Sequence, residues 1–478
     1  MSITKTTVDF NRLEGEIYAL CCAQGRAVLK TAIEAYDREL GGRRDKKAYR
    51  QKGLRRRTLK TVMGEVEYER AVYETVGEDG MKRSVYLLDE AIGVGGSGYF
   101  SGMLSEYIVK AACEGTYRSA ARAVSEATGQ RLSHTAAWNV VQELGGRVEE
   151  TERQAAKSAE EHHGAGEVET KVLFEEQDGI WLKMQGKSRK KYGASHEMKL
   201  AIAYDGAKKV GKKRYELTNK VACASFEYAG AFIKRKEGAI AAVYNVDEIE
   251  TRLLNGDGAA WIKQSRSDDS VHFQLDPFHR NKAVRQWVKD EEKRELIFEL
   301  LREKRIDDLL GCLEGYINNL VGTSEEEASE RENLQSLLTY FTNNRAGLVP
   351  YHQRGLNLPE PPPGTEYRRM GAMESNVFTL IGNRMKGRRA CWSINGGGNL
   401  ARLLCLRATG KLPQTLRSLT AFALPDKYAE EAVSVLTSAK VAKSEGKGYN
   451  GFHQTAFPAT PGFKWLRDIA ALRSLSEL

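Results

Sequence analysis

The chain has 478 residues and a formal net charge of +9 at pH 7. This length predicts two or three domains with a sizeable core. No run approaches the roughly 18 consecutive apolar residues of a membrane-spanning helix, and the N-terminus lacks the layout of a signal peptide. The scattered cysteines offer no C-x-x-C pair for zinc or redox chemistry. We therefore expect a soluble, cytoplasmic protein with no membrane partner.

Lysine and arginine are concentrated in four runs, at residues 41–60, 186–193, 208–214 and 384–389. Such runs suit a polyanion, because each phosphate contact releases condensed counterions. A single basic run is usually a solvated surface, but four in one chain favour nucleic acid as the partner. The candidate phosphate contacts in the first and last runs are Arg55, Arg56, Arg57, Lys386, Arg388 and Arg389.

Residues 1–164 are predicted to form a mainly helical DNA-binding region. Apolar positions recur at helical intervals up to about residue 40, and alternation around Gly64 predicts a short hairpin. Between residues 115 and 145, Gly129 separates two helical patterns and Ser133 can cap the second, which is the spacing of a helix-turn-helix. An ordinary helical hairpin has the same pattern. The second helix would present four polar residues outward: His134, Thr135, Asn139 and Gln142.

A charged helix over residues 147–164 would end this region, and from residue 168 the pattern changes to strands. Three alternating strands, a helix and two shorter strands predict an α/β domain over residues 165–410, with one mixed sheet and helices against it. Apolar spacing of i, i+3, i+4 makes residues 286–355 a helical insertion in that domain. Residues 411–478 would be a C-terminal extension.

Two acidic residues of the predicted sheet are candidates for chemistry. Asp178 lies in the apolar face of the first strand, where a carboxylate is costly unless a cation compensates it. Glu176 shares that face and competes with it, but Gly179 favours Asp178 by leaving room for a ligand. Asp257 follows a later strand in NGDG, where the glycines would give clearance for a metal and a phosphate, although an Asp-Gly turn is the commoner explanation.

Glu374 is the third acidic candidate. It opens a helix in which Phe378, Ile381 and Met385 share its stripe, so we expect that stripe to face the sheet. Phosphoryl transfer on nucleic acid needs two divalent cations, and Mg²⁺ takes oxygen ligands. Three carboxylates on neighbouring elements would suffice to hold them.

Four segments occur in an order that resembles the DDE transposases of bacterial insertion sequences: EEQDGIWLKMQ, NGDGAAWIK, LDPFHRNKAV and GAMESNVFTLIGNRMKGRRACWSINGGGNLARL. More narrowly, the chain is similar to the Lre type, allied to the Mutator-like group, over roughly residues 40–410. The resemblance implies an RNase H-like catalytic domain with a helical insertion before the final acid. It also implies that Asp178, Asp257 and Glu374 are the catalytic, metal-binding triad.

Transposases of this alliance carry a C/D-x-x-H motif after the second acid, which Asp276 and His279 match. The pair could equally cap and orient a helix start without a direct role. Trp392 also matches the family. It could stack on a flipped base near the cut, or it could pack in the core.

The resemblance implies a transposase that binds the terminal inverted repeats of its mobile element and target DNA, and that cleaves and transfers strands with two Mg²⁺ (or Mn²⁺) ions. Two DNA ends must be paired, so a homodimer or higher assembly, associated with the nucleoid when bound, is expected. Two alternatives remain open. One is an RNase H-like nuclease or resolvase without strand transfer, and the other is a catalytically inactive DNA-binding protein.

Overall fold

The computed structural model describes residues 9–77, 79–92, 100–162, 166–266, 270–320, 324–387, 389–420, 425 and 427–428. Within these ranges, no helix combines the length and the apolar character needed to cross a bilayer. The chain divides into two compact units. The first comprises the described residues of Met1–Val140 and Leu416–Leu478, and the second comprises those of Val141–Thr415.

The first unit contains helices and a three-stranded antiparallel sheet. In spatial order, its strands are β1 (Arg50–Thr61), β2 (Gly64–Val76) and β3 (Lys82–Val85). Its helices are α1 (Phe10–Arg43), α2 (Leu87–Ala91), α3 (Gly102–Glu114), α4 (Tyr117–Thr128) and the beginning of α5 (His134–His162). A small core forms where Ile33 of α1 meets Leu59, Val66 and Tyr68 of the sheet.

The hairpin predicted around Gly64 is confirmed, and it is longer than expected. Strand β1 begins at Arg50, so that half of the first basic run is extended strand with most of its residues exposed. Its register pairs Leu59 with Val66 across the turn. The outer residues of β1 carry no apolar alternation, which explains why the sequence pattern located only the part of the strand near the turn.

The two helices predicted for residues 115–145 are also present. Helix α4 ends at Gly129, whose φ of 68° is a left-handed conformation that glycine adopts without strain. The Ser133 hydroxyl accepts a hydrogen bond from the Ala136 N–H at 3.0 Å, as an N-cap does. The prediction of a separate charged helix over residues 147–164 was wrong, because α5 continues without a break through Gly145 and Gly146 to His162.

Gly145 allows α5 to pack closely on a helix that contains Asn399. A Cβ at position 145 would lie 2.6 Å from the Asn399 Cβ and 2.7 Å from its carbonyl oxygen, whereas a Cβ at Gly146 meets nothing within 4 Å. We expect Gly145→Ala to destabilise the protein by about 1–3 kcal/mol through overpacking. Gly146→Ala is the matched control and should stabilise the helix by about 0.5–1 kcal/mol. Urea unfolding measures both changes, and equal effects would contradict this packing.

The second unit is built on a five-stranded mixed sheet. In spatial order, its strands are β10 (Val271–Leu275), β9 (Thr251–Gly256), β4 (Val172–Lys183), β5 (Ser195–Tyr204) and β8 (Val221–Ser225). Strands β4, β5 and β8 pair antiparallel, whereas β9 and β10 continue the sheet in parallel on the other side of β4. Two short strands, β6 (Ala207–Lys209) and β7 (Tyr215–Leu217), pair separately. The predicted α/β layout with one mixed sheet is confirmed.

Helices and short helical turns follow or connect the strands of this sheet. The α-helices after α5 are α6 (Gly186–Tyr192), α7 (Ala229–Ala241), α8 (Ala260–Lys263), α9 (Pro277–Trp287), α10 (Glu291–Glu303), α11 (Ile306–Asn319), α12 (Glu325–Asn343), α13 (Met373–Asn376), α14 (Asn383–Met385), α15 (Ile394–Ala408) and α16 (Leu412–Leu419). Of these, α16 crosses from the second unit into the first. The 3₁₀ turns are Val246–Glu248, Gln264–Arg266, Arg345–Gly347 and Tyr351–Gln353, and Val377–Gly382 is a π-helix. Helices α10, α11 and α12 form the predicted insertion and share one core with β9 and β10.

One predicted strand, over RYELTNKVACASF, is divided in the structure into β7 and β8. A turn separates them at Asn219, whose φ is 48°. Asparagine tolerates this left-handed conformation better than most residues. The apolar alternation on both sides of Asn219 concealed the break.

Candidate metal centre at the ends of the central strands

Three aspartates lie side by side on neighbouring strands, Asp178 within β4 and the other two directly after β9 and β10. In the parallel register of β4 and β9, Gln177 pairs with Gly256, so Asp178 and Asp257 occupy adjacent positions just beyond that pair. Strand β10 pairs Leu275 with Gly256, and the N–H of the following residue, Asp276, donates to the Gly256 carbonyl at 2.8 Å. Parallel pairing therefore brings all three aspartates to the same level of the sheet, where β9 and β10 end beside the middle of β4.

A cluster of possible metal ligands forms at this place from Asp178, His279 and Glu374. One ligand atom of each lies within 4.8 Å of the others. Asp178 comes from the sheet, His279 from the first turn of α9, and Glu374 from α13. The cluster shares Asp178 and Glu374 with the predicted triad, but its third member is His279, which the sequence had suggested only as an auxiliary residue.

Asp276 orients His279. Its carboxylate caps α9 by accepting from the His279 N–H at 3.1 Å, and one carboxylate oxygen lies 3.0 Å from the His279 Nδ1. The other carboxylate oxygen accepts from the Asn255 amide at 3.0 Å. Because Nδ1 is engaged by Asp276, Nε2 is the imidazole nitrogen left for the cluster, which is the arrangement of a metal-binding histidine held by a carboxylate. Asp276 can therefore cap α9 while His279 takes a direct role in the cluster.

The pKa values of two residues in the cluster, Asp178 and His279, are raised. Burial, together with the nearby carboxylates of Asp257 and Glu374, raises the pKa of Asp178 to about 6, although the charge of His279 opposes this shift. Burial disfavours the imidazolium of His279, but the hydrogen bond with Asp276 and the charge of Asp178 raise its pKa above the usual value. Like charges gathered around the buried Asp178 favour either protonation or a bound cation.

Asp257 lies beside the cluster and adopts the geometry of a turn. Its Oδ1 accepts from the Ala259 N–H at 2.8 Å, and its carbonyl oxygen accepts from the Tyr340 hydroxyl at 2.9 Å. It still acts on the cluster, because its charge raises the pKa values of Asp178 and His279. Asp257 is therefore a turn residue and also a carboxylate that directly follows the end of β9.

The space beside the glycines of this region is occupied by protein side chains. Gly258 has a φ of 83°, and a Cβ there would lie 2.5 Å from the Asn344 Oδ1. A Cβ at Gly256 would lie 2.9 Å from Ile262, and one at Gly179 would collide with the Glu197 carboxylate. The prediction that these glycines provide clearance for a ligand was wrong, because each accommodates a neighbouring side chain.

Glu374 is exposed, at the start of a helical segment that changes its winding. Helix α13 passes directly into the π-helix Val377–Gly382, whose i→i+5 bonding widens the turn. Ile381 and Met385 are buried, but Phe378 is 61% exposed. The prediction that Phe378 shares one buried stripe with Ile381 and Met385 was therefore wrong, because the wider turn of the π-helix rotates Phe378 away from that face. Short π-helical segments occur frequently at functional sites.

Glu176 anchors the segment that carries Glu374. Its carboxylate has 0% exposure and accepts five hydrogen bonds, at 2.6–3.1 Å, from the Tyr204 hydroxyl, the Asn255 amide and the N–H groups of Gly371, Ala372 and Met373. Burial raises the pKa of Glu176, and these donors oppose the shift. Glu176 and Asp178 share a strand face, but Glu176 fastens a distant loop to β4 and Asp178 joins the cluster.

Trp392 lies in the core of the second unit. It is 6% exposed, and its indole N–H donates to the Met385 carbonyl at 2.8 Å. Its backbone pairs with residues at the end of β4, since the Trp392 N–H donates to the Lys183 carbonyl at 2.9 Å. This environment agrees with the packing interpretation, and the indole ties the helical segment after Glu374 to the sheet.

The candidate DNA contacts differ in exposure. Arg55 and Arg56 are exposed on β1, whereas Arg57 is ion-paired with Asp89, and its side chain is only 11% exposed. His134, Thr135, Asn139, Lys386 and Arg389 are exposed, and Arg388 lies outside the described residues. Gln142 was predicted to face outward, but it accepts a hydrogen bond from the Asn399 amide at 3.0 Å and packs against α15. Trp138, 43% exposed, adds an aromatic side chain to the start of α5.

The donor set of the cluster fits a divalent cation. Two carboxylates and one imidazole converge, and a third carboxylate, that of Asp257, lies beside them. Carboxylate oxygens suit Mg²⁺ and Mn²⁺, and the imidazole adds a nitrogen ligand that transition metals accept. The residues that could hold a metal are therefore Asp178, Glu374 and His279, with Asp257 as a neighbour.

A sheet that combines antiparallel and parallel pairing, with an acidic cluster beside its central strand, defines a mixed α/β protein with a candidate metal centre. Residues 3–418 match the model of the uncharacterised protein family UPF0236, and the chain belongs to that family. A UPF0236 protein "in vanSb 3′region" of Streptococcus gallolyticus is 23% identical over 428 residues, which cover 85% of each chain.

Further relatives come from Caldanaerobacter subterraneus subsp. tengcongensis. One UPF0236 protein of this organism is 26% identical over 366 residues, covering 73% of this chain and 70% of the relative, and its name carries eleven locus designations. A second is 26% identical over 361 residues, covering 72% and 69%, and its name carries four designations.

Proposed function

We propose that this protein is a DNA transposase of the DDE type, which binds the terminal inverted repeats of an insertion sequence and catalyses cleavage and strand transfer. The sheet supports an RNase H-like assignment of the catalytic domain. Three antiparallel strands, β4, β5 and β8, come first along the chain, and β9 and β10 then extend the sheet in parallel beside β4. A helical block precedes the final acid, as the sequence resemblance implies.

The observation that carries the proposal is the meeting of Asp178 and Glu374 in one cluster. These acids are far apart in the chain, and each lies in a segment that resembles the transposase family. Their ligand atoms lie within 4.8 Å of each other and of His279, next to the strand end that carries Asp257. Two further carboxylates, those of Asp257 and Glu374, act on Asp178 against one imidazole, that of His279, so negative charge is in excess at the cluster.

Asp178, Asp257 and Glu374 would hold two Mg²⁺ (or Mn²⁺) ions, with His279 as a further ligand or as a contact to the scissile phosphate. When bound, such ions activate the attacking hydroxyl and stabilise charge on the leaving oxygen. The protein's own side chains would position the metal ligands and the DNA. Asp276 holds the imidazole, and Lys386, exposed on the segment that follows Glu374, would contact DNA phosphates.

Divalent metal binding should weaken as the pH falls through about 6. Asp178 must be deprotonated to act as a ligand, so below its pKa of about 6 protons compete with the metal. Below that pKa the affinity for Mn²⁺ should fall by at least about tenfold per pH unit, since the imidazole of His279, whose pKa is also raised, must lose its proton to act as a ligand. Calorimetric titration between pH 7.5 and 5 measures this. A constant affinity would contradict the assignment, and Asp178→Asn should bind weakly at every pH.

The names of the relatives also support the proposal that the protein is a transposase. One protein name that spans eleven locus designations describes a sequence present many times in one genome. Copying of a mobile element produces such multiplicity, whereas a cellular nuclease needs no such copy number. The basic runs and the exposed surface of α5 would then bind the element's ends.

The proposal is tested with DNA from the flanks of the gene. Precleaved ends are incubated with the protein, target DNA and Mg²⁺, and joined products are expected. Hydrolysis without joining would support the nuclease or resolvase alternative. In parallel, Asp257→Ala should bind end DNA normally and lose cleavage. If the unaltered protein binds the ends but neither cleaves nor joins them, the inactive DNA-binding alternative holds.

A further inference from the structure

A large cavity opens beside the helix of Glu374. Its volume is about 1150 Å³, above the ~300–1,000 Å³ of ordinary small-molecule sites. Residues of the loop and helix around Glu374 form one wall, namely Gly371, Ala372, Ser375 and Asn376. Other parts of the wall come from the β6–β7 hairpin and from the end of α15. The cavity and the candidate metal centre therefore share one structural element.

The cavity carries an excess of positive charge. Four cations line it, namely Lys220, Arg368, Arg369 and Lys411, against two carboxylates, Glu167 and Glu216. Among the residues that the structure describes, Arg368 pairs with Glu366 at 3.4 Å, whereas the other three cations have no carboxylate at ion-pair distance. These three charges are available to an anionic ligand.

Lys220 is the most informative of these cations. It is half-buried, and its ammonium donates to the Asn376 Oδ1 at 2.5 Å, which leaves two of its three donors for a ligand. Burial lowers the pKa of Lys220, a cost that a bound anion would offset. Also in the cavity wall, the Arg368 guanidinium lies over the Tyr215 ring, 3.5 Å from its centre.

We propose that this cavity binds a short stretch of a single nucleic-acid strand, with Lys220, Arg369 and Lys411 on its phosphates and the Arg368–Tyr215 stack beside a base; this inference rests on the proposed function. A cavity of this volume takes a nucleotide or two but not a duplex. Cationic walls with a stacking surface are the means by which proteins hold single strands without sequence preference. A strand end held here lies against the turn that carries Glu374.

The test is fluorescence anisotropy with a labelled single-stranded oligonucleotide, in EDTA, over a range of salt concentrations. For single strands, log K falls with log salt by about 0.7 per neutralised phosphate. Lys220→Met combined with Lys411→Met should therefore reduce the slope by about 1.4 and raise the Kd at least tenfold. Lys411→Met alone should reduce it by about 0.7, and this exposed position carries little risk to folding.

Lys289→Met is the matched control, because Lys289 is exposed in the same unit and does not line the cavity. An unchanged Kd and slope in the double variant, or equal losses in the control, would overturn the proposal. Full displacement of the oligonucleotide by equimolar dAMP would instead assign the cavity to free nucleotides. Asp178→Asn should keep single-strand binding and lose cleavage, so failure at the cavity is distinguishable from failure of the proposed function.

Discussion

Replacing Glu374 by glutamine is expected to reduce Mg²⁺-dependent cleavage of end DNA by about a thousandfold, or ~4 kcal/mol of transition-state stabilisation. Glutamine keeps the size of the side chain and removes the charge that completes the cluster with Asp178 and His279. Because Glu374 is exposed, the substitution should leave folding intact. Gel-based cleavage rates measure the effect, and mobility shifts with the same DNA should be unchanged.

Glu299→Gln is the control for this change. Glu299 is an exposed carboxylate on α10, within the helical insertion. Its replacement by glutamine is the same chemical change, made outside the cluster. Its cleavage rate should equal that of the parent. If Glu374→Gln retains a rate within a few-fold of the parent, Glu374 does not belong to the reacting centre, and the assignment of the third acid fails.

Replacing Glu176 by leucine should destabilise the second unit by about 3 kcal/mol or more. The substitution leaves five donors around the former carboxylate, including three backbone N–H groups, without their buried acceptor. Urea unfolding followed by tryptophan fluorescence measures the loss. Removal of a single donor in Tyr204→Phe should cost only about 1 kcal/mol.

Glu176→Gln separates the structural role from the catalytic one. The amide keeps one acceptor oxygen but presents an NH₂ group to backbone donors, so the anchor of residues 371–373 loosens while the strand face stays polar. We expect weaker Mn²⁺ binding and slower cleavage, with a smaller loss of stability than in the leucine variant. Wild-type stability in Glu176→Leu would show that the five hydrogen bonds do not hold the loop.

Much of the second unit could be predicted from local pattern. Alternation located β4 and β5, helical spacing located α10 to α12, and the ends of β9 and β10 were marked by Asp257 and Asp276. Errors arose where the local pattern was ambiguous. A break at Asn219 was hidden between two alternating stretches, and the π-helix after Glu374 has no signature in a 3.6-residue period.

The roles of the acidic residues depended on distant parts of the chain. Period-two alternation puts Glu176 and Asp178 on the same face of one strand and cannot distinguish them. Glu176 meets the backbone of residues 371–373, whereas Asp178 meets His279 and Glu374. Likewise, the spacing of Asp276 and His279 indicated a helix cap, but only the parallel pairing of β9 and β10 brings that cap to Asp178.

The sequence by itself located most strands and helices of the second unit and the acids Asp257 and Asp276 that follow β9 and β10, because these follow from side-chain periodicity and from capping within a few residues. Tertiary structure alone decided which of those acids share one small volume, which glycines accommodate neighbours, and that a cationic cavity adjoins Glu374. These properties arise between different segments of the chain, many of them separated by about eighty to two hundred residues, where hydrogen bonding and packing depend on three-dimensional proximity that no local pattern encodes.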